Sequence, residues 1–186
     1  LWDNLLSELN AVAYALSLFI CPWKQNFDHD LPVLHSLLEW PLPFDLLLLG
    51  GLTTSAIFLV RRLPLLSFGI GWFFVQLLPT SLIPRNDLLS ERNLYLASMG
   101  LLLAVVVLCS HLAHRLIKVL QRPRLVQLGA GSLALALVLL LCFFTYQRNL
   151  LYRGEVSLWS DTVRKSPNKS RPHNNLGHAY AMEGDW

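Results

Sequence analysis

The chain has 186 residues, of which 54% are hydrophobic and 15% are charged, and its formal net charge is +3. Soluble globular domains contain about 45–50% apolar and about 25% charged residues, so this composition excludes an ordinary soluble domain. The apolar residues are concentrated in runs such as residues 63–84 and 125–147, which carry no charge. Each run exceeds the roughly 18–20 residues with which a helix crosses a hydrocarbon core. The sequence therefore predicts an integral membrane protein, and its weak charge gives no reason to expect a nucleic-acid partner.

The first apolar segment, within residues 5–23, is short and ends at a proline followed by a tryptophan. It predicts either a short transmembrane helix or a helix that lies at the membrane interface. A polar loop follows over residues 24–43, and the next span is predicted over residues 44–60. Gly50 and Gly51 in this span are predicted to allow close helix contact, because small residues let backbones approach.

Three further spans are predicted over residues 63–83, 94–113 and 125–147. The predicted fold is therefore all-α, with a polytopic bundle of about four to five hydrophobic helices over residues 1–147. A soluble helical region is expected over residues 148–186. The sequence has no initiator Met and its last residues stop in mid-pattern, which favours an internal fragment of a longer protein.

The basic residues are distributed unevenly among the loops. The turns 61–62 and 114–124 hold six Lys or Arg and no acid, whereas the loops 24–43 and 84–93 hold three basic and five acidic residues. Short cytoplasmic loops collect Lys and Arg. The second pair of loops is therefore predicted to face the periplasm or lumen, together with the C-terminal tail. Arg148 and Arg153, close after the last span, argue against this topology.

The tail has the pattern of a helical repeat. Leu176 and Gly177 form a Leu-Gly pair, and Tyr180 follows three residues after the glycine. This pattern resembles the first helix and turn of a tetratricopeptide repeat that begins near residue 170. In the same frame Trp159 takes the large packing position of the preceding unit. The alternative is an ordinary helical hairpin.

The order of these features resembles the transmembrane and tetratricopeptide-repeat O-mannosyltransferase family and its bacterial relatives. The matching motifs are Leu-Pro-Thr-Ser at residues 78–81, Glu-Arg-Asn-Leu-Tyr-Leu at 91–96 and Ser-Met-Gly at 98–100, before a last span and the repeat. Many members have Pro where this chain has Ala97. The likeness covers essentially the whole fragment and implies a glycosyltransferase of the GT-C class.

The resemblance implies that the full-length enzyme transfers a sugar from a polyprenyl-phosphate donor to a protein hydroxyl. The reaction would occur on the outer side of the bacterial inner membrane or in the endoplasmic reticulum lumen, and the repeats would hold the protein or peptide acceptor. In GT-C enzymes the catalytic acid lies in the first external loop, which we expect upstream of this fragment. The fragment alone is therefore expected to be inactive. The alternatives are a non-catalytic membrane-anchored repeat scaffold, which predicts no polar cavity, and a lipid-linked oligosaccharide ligase.

Arg92 is the first candidate to bind the donor phosphate, and Arg85 is the second. A guanidinium presents forked donors that match a phosphate, and Arg92 lies at the predicted headgroup depth. Arg85 is a cation on the predicted outer side, where the topology does not require one. Tyr95 is three residues from Arg92, so the two would share one helix face and could form one wall of a site. Glu91 could orient Arg92, act as a base or be solvated. The alternatives are an ion pair of Arg92 with Glu91 or Asp87, interfacial snorkelling of Arg92, and Tyr95 as an interface anchor.

The external loop carries a second candidate group, Asp28, His29 and Asp30. These side chains could bind a divalent ion or an acceptor hydroxyl, but they also suit a polar turn before Pro32. The sequence contains no His-x-x-x-His pair on a predicted helix, so no histidine is assigned as a metal ligand. We therefore predict no metal site and no firm cofactor, and leave a divalent ion as an open alternative.

Overall fold

The structure is a computed structural model that describes residues 2–82 and 88–184, with the side chains of residues 80–82 not included. The described residues contain seven α-helices and one 3-10 helix, joined by loops, and no strand. The predicted all-α class is confirmed for this part of the chain. In chain order the elements are α1 (Trp2–Ile20), the 3-10 helix (Pro22–Lys24), α2 (Leu42–Leu59), α3 (Pro64–Leu82), α4 (Glu91–Leu120), α5 (Pro123–Leu151), α6 (Glu155–Lys165) and α7 (Ser170–Glu183).

Three of these helices, α2, α4 and α5, are long and apolar enough to cross a membrane. They correspond to three of the predicted spans and are consistent with an integral membrane protein. The predicted bundle of four to five hydrophobic helices also includes α1 and α3, and this count of three covers the described residues only. In α3 the apolar part that the structure describes with side chains is Pro64–Pro79. Helix α1 buries the polar side chains of Ser7, Glu8 and Asn10, which lower its hydropathy.

Helices α3 and α4 cross at two glycines. A Cβ atom added to Gly69 would overlap the carbonyl oxygen of Gly100, and a Cβ added to Gly100 would overlap that of Gly69. At the same crossing the indole Nε1 of Trp72 donates a hydrogen bond to the carbonyl oxygen of Leu96 at 2.9 Å. The absence of both side chains therefore lets the two backbones come this close.

The predicted close contact at Gly50 and Gly51 is wrong. A Cβ atom added to either glycine would meet no heavy atom within 4 Å, and both residues are exposed. Glycine content alone allows a close contact but does not place a partner helix, so tertiary packing decides which glycines are used.

Helix α1 joins the other helices at the centre of the structure. Its side chains form a core cluster with those of α3 and α4, in which Ala15, Phe73 and Ala97 are almost fully buried. The amide Nδ2 of Asn10 donates a buried hydrogen bond to Oδ2 of Asp45 in α2 at 2.7 Å. Because α1 leads directly into the polar loop, this packing fixes the loop above the start of α4.

Helices α6 and α7 form a hairpin that is fixed to the end of α5 through Asp161. Arg148 of α5 donates from Nη1 to Oδ2 of Asp161 at 3.1 Å. Arg164 and Lys165 of α6 donate to the same carboxylate at 2.7 and 2.6 Å. Arg148, which argued against the predicted topology, therefore has a structural role in holding the tail.

The predicted repeat residues are distributed over both helices of this hairpin. Helix α7 begins at Ser170, close to the predicted start of the repeat. The Trp159 ring lies edge-on to Phe27 of the polar loop with 5.2 Å between centroids. Leu176 is half-buried, whereas Gly177 and Tyr180 are exposed. An ordinary hairpin has the same helix pair, so the tetratricopeptide repeat stays a prediction.

The ion pairs of Asp161 predict a dependence of stability on pH. Burial by itself would raise the pKa of Asp161, but hydrogen bonds from Lys165 and Arg164 and the nearby charge of Arg148 lower it below the usual value. A carboxyl with a lower pKa in the folded state stabilises that state above its unfolded pKa, and this contribution is lost as the pH falls through the folded value. We expect the melting temperature of the wild type to fall more than that of Asp161→Asn below about pH 4. The measurement is the melting temperature of each protein in detergent as a function of pH. An equal fall in melting temperature for the two proteins below about pH 4 would contradict this expectation.

Candidate functional site

Three segments that are distant in the sequence meet at the start of α4. The backbone N–H of Asn26 in the polar loop donates to Oε1 of Glu91 at 2.6 Å. The side-chain Nδ2 of Asn26 donates to Oγ of Ser166, between α6 and α7, at 2.7 Å. The two loops and the tail that were predicted to share one side of the membrane therefore lie together. Which side of the membrane they face stays a prediction.

Asp28 connects the polar loop to the tail through both its carboxylate and its backbone. Lys169 Nζ donates to Oδ1 of Asp28 at 2.5 Å, and Nε of Arg171 lies 3.6 Å from Oδ2. The carbonyl oxygen of Asp28 accepts a hydrogen bond from Oγ of Ser166 at 2.7 Å. Asp28 is 3% exposed. Two cations next to it offset the cost of burying its charge.

His29 connects the same loop to Glu91. Its Nε2 lies 3.0 Å from Oε1 of Glu91, and its ring lies edge-on to that of Tyr14 with 5.2 Å between centroids. Asp28 and His29 are both buried, whereas Asp30 is exposed. A polar turn in solvent does not account for the first two residues, because a solvated turn leaves its charged side chains in water.

Glu91 is held by the polar loop rather than by its neighbour in the sequence. Its Oε1 is contacted by Asn26 and His29, as described above. In the described part of the chain no ion pair joins Glu91 to Arg92, which agrees with the rule that adjacent helical residues do not face each other. Of the predicted roles for Glu91, direct orientation of Arg92 has no support in this geometry.

A cavity of about 790 Å³ lies between the polar loop, the start of α4, the end of α5 and the start of α7. Four residues that the sequence singled out contribute to its walls. These are Asp28, Glu91, Arg92 and Tyr95. Arg92 and Tyr95 are exposed and share this wall, as their spacing on one helix predicted. Arg85 and Asp87 lie outside the described residues, and His29 and Asp30 line an adjacent hollow of about 390 Å³.

The other residues of this cavity were not anticipated as site residues, and they include polar and aromatic side chains from the loop and the tail. Asn26, Tyr152 and Arg171 also line it. Asn26 and Arg171 lie in segments with ordinary polar composition, and Tyr152 follows the last span directly. The sequence carries no local signal for them, because their place in the wall depends on the tail folding back onto the loop.

An apolar groove of about 350 Å³ adjoins the polar cavity. Its walls come from α1, α3 and α4, with Leu141 of α5 on one side. Gln25, Glu91 and Tyr95 line both spaces. A charged cavity thus lies next to an apolar groove between predicted membrane helices, and three residues line both. This combination suits an amphiphilic ligand.

The alternative of a divalent ion receives no support from the geometry. Within residues 2–82 and 88–184, no three His, Cys, Asp or Glu side chains are grouped so that they could hold a metal ion. Asp28, the buried acid of the loop motif, is paired with cations of the tail instead.

Comparison with known proteins gives one informative similarity. No protein-family model matches the chain, and no solved structure matches it. The chain is 33% identical over 144 residues to the protein O-mannosyl-transferase Tmtc3 of Drosophila melanogaster. The match covers 74% of this chain but 15% of the length of that relative. Over most of its length this chain is therefore related to a protein O-mannosyl-transferase of the Tmtc type, of which it spans a small part.

Proposed function

We propose that this chain is part of a membrane glycosyltransferase that transfers a sugar from a polyprenyl-phosphate donor to a protein hydroxyl. The similarity to an O-mannosyltransferase supports the reaction class. The observation that carries the assignment of the site is the polar cavity lined by Arg92, which lies next to an apolar groove with Tyr95 and Glu91 in the walls of both. A polyprenyl phosphate has one anionic end and one apolar chain, so it matches both spaces.

In this proposal Arg92 binds the phosphate of the donor. Among the described residues Arg92 has no ion-pair partner. We propose that its guanidinium forms two parallel hydrogen bonds with phosphate oxygens. Tyr95, one helical turn further along α4, lies where the phosphate end of the ligand passes into the groove. Glu91, held by Asn26 and His29, fixes the start of α4 on the loop and so keeps Arg92 in the cavity wall.

In the transfer reaction, this site would bind the phosphate that leaves the sugar. The acceptor hydroxyl forms a bond to the anomeric carbon of the sugar and gives its proton to a carboxylate base. The bond between that carbon and the phosphate oxygen breaks, and its electron pair leaves with the carrier phosphate. Cations next to the phosphate stabilise this developing charge. We propose that the base is supplied from outside this chain, on the periplasmic or lumenal side, and that the repeats hold the acceptor.

We expect that Arg92→Ala in the full-length protein weakens donor binding about tenfold or more, since a hydrogen bond to a charged group contributes about 1.5–3 kcal/mol. The measurement is transfer from a polyprenyl-phosphate sugar at several donor concentrations, together with donor binding at equilibrium. Arg164→Ala is the matched control, because Arg164 is an exposed arginine whose contact is with Asp161. Wild-type turnover and unchanged donor affinity in Arg92→Ala would contradict the proposal.

A non-catalytic membrane scaffold is less well supported. Such a protein gives no reason for a charged cavity next to an apolar groove, whereas this chain has both. The lipid-linked oligosaccharide ligase shares the carrier phosphate but uses a larger donor. Faster transfer of an oligosaccharide than of a single sugar in the assay above would favour that alternative.

A further inference from the structure

We propose that Arg171 of the tail is a second cation for the carrier phosphate, and that Asp28 is the positioning residue that holds Arg171 in the cavity wall. This inference rests on the proposed function of the cavity. It adds that the phosphate is bound between the membrane helices and the tail hairpin. Binding of the donor and docking of the tail are then energetically linked.

The first observation is that the cavity has one arginine on each of two different structural units. Arg92 lies in the first turn of α4, and Arg171 lies in the first turn of α7. Both line the same cavity of about 790 Å³. From this shared lining we infer that a phosphate group in the cavity contacts guanidinium groups from both units.

The second observation is the way in which Asp28 faces Arg171. Oδ2 of Asp28 is buried and accepts no hydrogen bond within the described part of the chain, and Nε of Arg171 lies 3.6 Å from it. A guanidinium carries five N–H donors, so one edge can face Asp28 while the same side chain contacts a ligand. The carboxylate thus restricts where the guanidinium lies without excluding a second contact.

The third observation distinguishes Arg171 from the other cation on Asp28. Lys169 donates to Oδ1 of the same carboxylate. Lys169, however, lines a different hollow of about 450 Å³, together with Asn4 and Ser7 of α1. Removing Lys169 therefore weakens the link between loop and tail but leaves Arg171 in the wall of the cavity of about 790 Å³.

A physical consequence follows from the two attachments of Arg171. If the phosphate contacts both Arg92 and Arg171, it favours the state in which the tail is docked on the loop. Linkage is reciprocal, so docking of the tail must raise phosphate affinity by the same factor. The tail would then do more than present an acceptor, since it would also complete the donor site.

The test measures binding of radiolabelled dolichyl phosphate to the full-length protein in detergent micelles. We expect Arg171→Ala to weaken binding about tenfold, as a lost charge-assisted hydrogen bond does. Lys169→Ala, which removes the other cation on Asp28, is the matched control and is expected to have a smaller effect. Arg171→Gln, which keeps most of the side-chain length, replaces Arg171→Ala if the latter does not fold.

The role of Asp28 is tested with a double-mutant cycle. Asp28→Asn is expected to weaken binding in the wild-type background and to have no further effect when Arg171 is already replaced by Ala. A merely structural role would weaken binding in both backgrounds. Limited proteolysis of the tail gives a second readout, because dolichyl phosphate should protect the tail in the wild type but not in Arg171→Ala.

The outcomes separate this inference from the proposed function. If Arg92→Ala weakens binding and Arg171→Ala does not, the second cation is disproved and the donor site stands. If neither variant weakens binding, both proposals fail. An equal loss in Lys169→Ala and Arg171→Ala would show that tail docking alone matters, and it would overturn the direct contact of Arg171 with phosphate.

Discussion

Replacing Asp161 by Ala is expected to destabilise the docked tail by about 3–5 kcal/mol, because it leaves a buried cation without its partner. The side chain of Arg148 is 13% exposed and that of Asp161 is 4% exposed. Nη1 of Arg148 is bonded to Asp161, whereas Nε and Nη2 are buried with no hydrogen-bond partner in the described part of the chain. Loss of the carboxylate thus removes the hydrogen bond that links Arg148 to the hairpin. The measurement is the free energy of unfolding in mixed detergent micelles, with protease cleavage of the tail as a local readout.

Two further variants define what the Asp161 result means. Arg164 also pairs with the Asp161 carboxylate, but the Arg164 side chain is 78% exposed. Arg164→Ala should therefore lower the free energy of unfolding by about 0–1 kcal/mol. The double variant Asp161→Ala with Arg148→Met removes the buried charge as well as its partner, and should recover much of the lost stability. Equal losses in Asp161→Ala and Arg164→Ala would show that Arg148 is not held in the way the structure indicates.

The long helices could be predicted from the sequence because their signal is local. Uncharged runs over residues 94–113 and 125–147 lie inside helices α4 and α5. The structure extends both helices by polar turns, to Glu91–Leu120 and Pro123–Leu151, which a search for apolar runs does not include. The glycine contacts could not be predicted in the same way. Gly51 and Gly100 are both glycines within apolar helices. Only the three-dimensional packing places the backbone of α3 against Gly100 and leaves nothing within 4 Å of a Cβ added at Gly51.

The candidate site was predictable to the extent that it lies on one helix. Arg92 and Tyr95 are three residues apart on α4, so helix geometry alone places them on one face. The burial of Asp28 depends on Lys169 and Arg171, which lie more than a hundred residues later in the chain. Such a contact depends on how the loop and tail pack together. No pattern near Asp28 in the sequence distinguishes it from a residue in a solvated loop.

Replacing Gly100 by Ala is expected to destabilise the crossing of α3 and α4 by about 1–3 kcal/mol or more, as overpacking does. The new Cβ would overlap the carbonyl oxygen of Gly69 and lie 2.8 Å from Cδ1 and 2.9 Å from Cβ of Trp72. These atoms belong to the backbone or to a bulky indole side chain that is hydrogen-bonded to α4, so they cannot move aside without disturbing the crossing. The bond from Trp72 Nε1 to the Leu96 carbonyl would lengthen as the crossing is disturbed. Unfolding in mixed micelles measures the loss.

Gly51→Ala is the matched control for Gly100→Ala, since it makes the same substitution in another apolar helix. A Cβ at Gly51 meets nothing within 4 Å, and Ala is favoured over Gly in a helix by about 1 kcal/mol. Gly51→Ala should therefore be neutral or slightly stabilising, and equal stability of the two variants would disprove the close crossing. Gly100 lies on the same helix as Arg92 and Tyr95, so separating α4 from α3 also moves a wall of the cavity. In Gly100→Ala the donor affinity should therefore fall together with stability, whereas in Gly51→Ala neither should fall.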